Sequence, residues 1–360
     1  MGFRHCFFML FSFLIGKFSL QLNAQNDSGG NWNFSLYADM YYGKNYTVSD
    51  NTEQSISELV SFHRFNEISL NTGFAILNYS DSTKFFSAGA GIGTYMLRNM
   101  TAEPLGYRNI LQCYGGVKLF NEKSIWLEAG IMPSHIGYES AISMDQPTLT
   151  RSMVSDFSPY FETGMKLKGD FKHFNFSALM LNGWQRIWRS NQEPGNHFGV
   201  QAQYSKDKFL FNYSGYCGGL GVNNANVQRV FHDVYTKFSM GKTWNIWLLV
   251  DVGCDKQVIS KNFWWGTAAV IRCDINSKSA ISARLETFKD PNRRIVLSTV
   301  KAAEIFGFSI NGDVLLRPQV LLRLELKQLQ ASDYIFFNAN STFTRSSLQG
   351  LLSIAWKLMK

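Results

Sequence analysis

The chain has 360 residues and a formal charge of +8. Aromatic residues make up 15% of it (30 Phe, 15 Tyr, 9 Trp) beside only 7 prolines and 17% charged residues, a mix unusual for a soluble enzyme. The positive excess is spread out with no block of like charges, which argues against nucleic acid and points to anionic lipid headgroups, or anionic solutes in a pore, as partners.

Residues 1–24 read as a secretory signal peptide: Arg4 and His5 form a basic start, Cys6 to Gly16 is apolar, and Leu22-Asn23-Ala24 offers a cleavage point before Gln25. Residues 25–360 are then the mature protein. After Gln25 no apolar run approaches the roughly 18 residues of a spanning helix. If this chain enters a bilayer it must do so as a closed barrel, the other arrangement that satisfies every backbone N–H and C=O in hydrocarbon.

The dominant period is two, as in Val200-Gln201-Ala202-Gln203-Tyr204 and in Val320, Leu322, Leu324 and Leu326 alternating with Leu321, Arg323, Glu325 and Lys327. Division at the turn signals predicts sixteen strands: Trp32–Tyr42, Asn66–Leu77, Phe85–Leu97, Arg108–Phe120, Ile125–Met132, Pro159–Lys168, His173–Trp184, His197–Tyr204, Phe209–Cys217, Arg229–Met240, Trp244–Cys254, Asn262–Cys273, Ser279–Lys289, Val300–Ile310, Gln319–Lys327 and Ser346–Leu358. Tight connections are expected at Asn121–Ser124, Gly169–Lys172, Ser205–Lys208, Gly241–Thr243 and Asn311-Gly312, with Pro318 also in a turn. Long ones alternate with them: Gly43–Phe65, Arg98–Tyr107, Pro133–Ser158, Gln185–Asn196, Gly218–Gln228, Asp290–Thr299 and Gln328–Arg345. The expected fold is an all-β, single transmembrane antiparallel up-and-down barrel with short periplasmic turns and longer outer loops, sixteen strands being favoured over fourteen or eighteen.

Trp32, Trp126, Trp244 and Trp356 fall at the strand ends assigned to the periplasm, and Trp184, Trp188, Trp264 and Trp265 at or beyond the opposite ends. Two such bands fit the aromatic girdles of a spanning barrel. Placing a cation toward lipid at the bilayer midplane costs about 2–4 kcal/mol. Arg323, Glu325 and Lys327 are therefore assigned to the lumen and Leu322, Leu324 and Leu326 to lipid. Asn33, Ser35 and Asp39 likewise go inside, with Phe34, Leu36 and Met40 outside. The glycines of Ala88–Tyr95 leave one strand face small, open to a bulky neighbour, and carry no phosphate-loop Lys-Ser/Thr. Cys113, Cys217, Cys254 and Cys273 show no CxxC spacing and are expected as single thiols.

The stretches IWLEAGIMPSHIGYESAI (Ile125–Ile142), LTRSMVSDFSPYFETGMKL (Leu149–Leu167), LMLNGWQRI (Leu179–Ile187), FGVQAQY (Phe198–Tyr204) and RVFHDVY (Arg229–Tyr235) resemble the OmpL-like family of outer-membrane β-barrel porins. That resemblance implies an integral protein of the cell outer membrane with pore activity, and supplies no substrate. In such barrels a final aromatic serves assembly, whereas here Trp356 is followed by Lys357, Leu358, Met359 and Lys360. The departure bears on how the barrel-assembly machinery would recognise the last strand.

Pro133–Ser158, the longest outer connection, carries His135, Glu139, Asp145, Arg151 and Asp156. It is expected to fold into the lumen and form a charged constriction faced by Arg323, Lys327 and Arg186; a loop lying over the barrel mouth is the plainer alternative. The function this suggests is passive diffusion of small hydrophilic solutes. A non-conducting barrel acting as adhesin, receptor or anchor is the second reading. An outer-membrane hydrolase comes third, because His135, His173, His197 and His232 are scattered and no HExxH or GxSxG pattern occurs. No cofactor or metal is implied, since no two histidines stand at ligand spacing.

Overall fold

The computed structural model describes residues 29–47, 61–189, 195–222, 225–257, 261–296, 303–337 and 342–359, so the signal peptide expected over residues 1–24 lies outside the described residues. Among the described residues sixteen strands close into one antiparallel barrel. They are β1 (Asn31–Asn45), β2 (Ile68–Ser80), β3 (Lys84–Ile92), β4 (Ile110–Lys118), β5 (Ile125–Pro133), β6 (Phe161–Phe171), β7 (Phe174–Leu181) and β8 (His197–Lys206), then β9 (Phe209–Val222), β10 (Ala225–Met240), β11 (Trp244–Lys256), β12 (Lys261–Asp274), β13 (Ser279–Asp290), β14 (Ala303–Arg317), β15 (Val320–Ala331) and β16 (Ser346–Met359). The ring closes where β1 pairs with β16, Ser35 opposite Met359 and Asn45 opposite Gln349. Closure leaves no edge strand with unpaired backbone groups, the condition a sheet must meet in hydrocarbon.

Alternation sorts the side chains as the residue types require. On β15, Arg323, Glu325 and Lys327 are buried toward the lumen while Leu324 and Leu326 are 50% and 52% exposed on the outer face. On β1, Asp39 is fully buried and Phe34, Leu36 and Met40 face out. On β13, Ser282, Arg284 and Glu286 point in, and Ile281 and Leu285 point out. On these three strands the charged residues named share the inward parity, so this part of the wall presents polar side chains to the lumen.

One end of the barrel carries short connections, including Asp207-Lys208, with Asp207 at φ 52°, and the turn that begins at Gly241, φ 64°. The other end carries the long connections that follow β1, β3, β5, β7, β13 and β15. Three expectations fail here. Asn311-Gly312 is not a hairpin: β14 runs through it to Arg317, and the turn is Pro318-Gln319, with Gln319 at φ 71°. Gly218–Gln228 is not a long loop either, since β9 and β10 stay paired up to Val222 opposite Ala225. Gly218, inside β9, leaves room for the His197 ring, since a Cβ there would sit 2.1 Å from it. β3 also ends early, at Ile92. Gly93 adopts φ 112°, where a Cβ would lie 2.5 Å from the Asn71 carbonyl oxygen, and turns the chain into α1 (Thr94–Asn99). Met96 of α1 packs back onto Gly91, the small strand face read from the sequence.

Candidate functional site: the inward loop and its cavity

The connection from β5 to β6 enters the lumen, and its polar backbone is held by strands around the ring. At its start His135 sits between β6 and β9, with Nδ1 2.7 Å from Glu162 Oε2 and Nε2 3.0 Å from the Gly215 carbonyl. Its own carbonyl accepts from Gln201 Nε2 at 3.0 Å and Ser214 Oγ at 2.7 Å. Gly199 makes room for the ring, since a Cβ there would lie 2.7 Å from it. Burial works against the charged imidazolium, but the Glu162 carboxylate and the Gly215 carbonyl outweigh it and raise the pKa above the usual 6.5.

Further along, the loop crosses to the opposite wall. The Ser143 amide donates to Tyr37 Oη at 2.9 Å, and Arg323 donates to the carbonyls of Ser143 and Gln146. Ser282 Oγ donates to the Pro147 carbonyl at 2.7 Å. The amides of Leu149, Thr150 and Met153 donate to Asn311 Oδ1 (2.8 Å), Glu325 Oε2 (2.6 Å) and Glu286 Oε2 (2.7 Å). Arg284 donates to Thr148 Oγ1 and the Thr150 carbonyl. A loop buried in this way can persist only because its amides and carbonyls find such partners.

The residues expected at a constriction separate into three groups. Arg323, Glu325 and Lys327 are engaged in the wall that holds the loop: Arg323 pairs with Asp313 at 2.8 Å and Lys327 with Glu286 at 3.6 Å. Asp145 pairs with Lys357 of β16 at 2.6 Å. Glu139, Arg151 and Asp156 come together within the loop, where Glu139 Oε2 accepts from the Ser152 amide at 2.8 Å and Asp156 Oδ1 accepts from Ser61 and Tyr160. Arg186 does not join them. It lies beyond β7 and donates to the Ala102 carbonyl at 3.3 Å, because that connection packs against the one following β3.

The tryptophans divide as well. Trp32, Trp244 and Trp265 are exposed on the outer face, Trp356 shares the outward parity of Leu352 and Leu358, and Trp188 is exposed in a loop. Trp264 departs from the expected girdle: it is 1% exposed and faces inward, as a neighbour of outward Trp265 must. Arg229 lies between Trp264 and Trp184, 4.7 and 4.8 Å from their rings, and forms two hydrogen bonds to Asp255, so Trp184 too faces the interior. Trp126 shares the parity of buried Glu128 and packs on Phe85. Sequence reasoning also missed Arg284, Glu286, Asn311 and Glu162, although their polar character at lumen parity was a usable signal.

Two consequences follow for the lumen. Met153 belongs to an apolar cluster with Phe231, Trp264, Phe288, Ile305, Leu329 and Phe336, which fills the side of β9 to β15. On the other side, between the loop and the wall of β2 and β4, remains a cavity of about 250 Å³ bordered by Phe74, Tyr95, Leu111, Tyr138, Glu139 and Arg151. The four cysteines of the barrel are free thiols.

A family model described as "Putative beta-barrel porin-2, OmpL-like" matches residues 31–358. No curated protein matches the chain. Among solved structures it is similar to the anion-selective porin from Comamonas acidovorans, with a TM-score of 0.61 and 8% identity over 91% of this chain and 100% of that one. It is also similar to OmpT, an outer membrane protein of Vibrio cholerae (TM-score 0.56, 9% identity, 91% and 97%), and to OmpF of Salmonella typhi in complex with daunomycin (0.55, 8%, 91% and 97%). At such identities the likeness is one of fold.

Proposed function

Because this chain belongs to the OmpL-like β-barrel porin family and is an integral barrel of the outer membrane, we propose that it is a narrow porin-type channel for passive diffusion of small hydrophilic solutes. The observation carrying this reading is the inward loop from Pro133 to Ser158, which is fastened to β13, β14 and β15 and leaves its cavity against β2 and β4. A loop that spans the lumen from β6 and β9 to β13–β15 narrows it on those sides, and the proposed path for solute runs along β2 and β4, where the cavity remains. Glu139 and Arg151 are the charged residues of the loop that border this path. Selectivity would arise from the gap's width and from these two charges. Arg323, Glu325 and Lys327 serve the proposed channel as anchors of the loop.

Liposome swelling tests the reading. Proteoliposomes should swell in small sugars and amino acids at rates that fall steeply with solute size, and no swelling above empty liposomes for any solute would overturn it. The apolar cluster around Phe288 and Leu329 favours a second reading, a non-conducting barrel acting as receptor or anchor. That reading predicts the absence of swelling.

A further inference from the structure

We infer that Lys256 and Lys261, directly opposed on the outer face at the long-loop end of β11 and β12, bind the phosphomonoester head of a lipid in the adjoining leaflet. The inference rests on the barrel's place in the membrane and is independent of conduction.

The register pairs Lys256 with Lys261 at the end of the β11–β12 hairpin. Both are exposed and share the outward parity of apolar neighbours: Leu248, Val250 and Val252 precede Lys256 on β11, and Phe263 and Trp265 follow Lys261 on β12. Like charges directly opposite on one face of an antiparallel pair, with Cβ atoms about 4.5–5.5 Å apart, are destabilising. Elsewhere on the outer face unlike charges are opposed: Lys289 of β13 stands across from Glu304 of β14, and their side chains pair at 3.2 Å. Neither Lys256 nor Lys261 forms an ion pair among the described residues. The outward positions around them are Gln228, Cys254 and Phe263, and residues 257–260 between the two strands are Gln-Val-Ile-Ser. None of these carries a carboxylate.

Height along the barrel decides what meets the pair. Lys256 stands twelve residues beyond Trp244, which is exposed on the outer face at the short-turn end. At a rise of about 3.4 Å per residue and a tilt of about 40°, that is roughly 30 Å along the barrel axis, beyond an apolar band about 25 Å tall. The two ammonium groups therefore reach the headgroup layer, with Phe263 and Trp265 below them at the edge of the hydrocarbon. Water only screens their repulsion, whereas an anion between them cancels it. A phosphomonoester carries a charge of about −1.5 to −2 and three acceptor oxygens, enough to answer both lysines at once. A phosphodiester brings a single charge. A lipid also supplies acyl chains to lie along Val250, Val252 and Ala269, which free phosphate does not.

Native mass spectrometry of the full-length protein in detergent tests this with dioctanoyl phosphatidic acid, phosphatidylglycerol and phosphatidylcholine, beside inorganic phosphate. Phosphatidic acid should bind most tightly, phosphatidylglycerol next and phosphatidylcholine least. Lys256→Gln and Lys261→Gln should each weaken phosphatidic acid about fivefold, the worth of one lysine at an anionic lipid surface, and the double variant about 25-fold. Lys206→Gln alters a lone outward lysine opposite Phe209 at the short-turn end and should leave binding unchanged. Equal binding of the three lipids by the unaltered protein overturns the inference even if a variant fails to fold, as does an unchanged preference for phosphatidic acid in the double variant. Displacement of phosphatidic acid by equimolar inorganic phosphate also overturns it, because the ligand is then the free anion and not a lipid.

Discussion

Arg284 of β13 donates a 2.6 Å hydrogen bond to the carbonyl of Thr150, linking the barrel wall to a loop residue 134 positions earlier in the chain. The same guanidinium reaches Thr148, Glu286 and Glu325, so one fully buried cation holds both the loop and the anions that anchor the loop's amides. Removing one member of such a buried set strands the others.

Arg284→Met is therefore expected to destabilise the loop's seat on the order of 3–5 kcal/mol, the usual consequence of breaking a buried ion pair from one side. The barrel strands should survive. Limited proteolysis should reveal new cleavage between Ser143 and Met153, and single-channel traces should become larger and noisier than those of the unaltered protein.

The His135–Glu162 pair predicts a pH response. The folded-state pKa of His135 is raised above the usual 6.5. Its contribution is therefore fully present below about pH 6.5 and is lost as pH rises through the raised value. Proteolytic sensitivity of the loop should increase as the pH rises above about 6.5, and His135→Gln should flatten that dependence. An unchanged profile in the variant would assign the response elsewhere.

On the outer face, Leu324→Arg exchanges a half-exposed leucine for a cation directed at lipid. It should cost about 2–4 kcal/mol in reversible unfolding from bilayers, against little for Leu324→Phe. Equal stability of the two variants would remove Leu324 from the hydrocarbon zone.

Gly199→Val places a side chain where the His135 ring lies. It should loosen the start of the loop and reproduce in part the noisy traces of Arg284→Met, while a valine at exposed Gly106, where a Cβ meets nothing, should leave them unchanged.

Much of the wall was legible in the sequence, because period-two alternation is local and a charged residue has only one tolerable face in lipid. Arg323, Glu325 and Lys327 followed from that rule alone. The rule says nothing of what a lumen-facing group touches, so Arg284 and Asn311 could not be matched to Thr150 and Leu149 across more than a hundred residues. Local turn chemistry misled at Asn311-Gly312, where Asn311 serves as an acceptor for the loop and Pro318-Gln319 makes the turn. Glycine density misled at Gly218, which admits the His197 ring instead of breaking a strand. The tryptophan bands are read from position along the strands without regard to parity, which is why they group Trp264 with Trp265 although adjacent residues of a strand face opposite ways.

The most direct test of a loop-narrowed channel is single-channel recording in planar bilayers of the unaltered protein beside a variant in which Gly137–Ser155 is replaced by a short glycine-serine linker. The former should give a small, steady conductance and the latter one several-fold larger. Equal conductances in the two proteins, or silence in both, would contradict it.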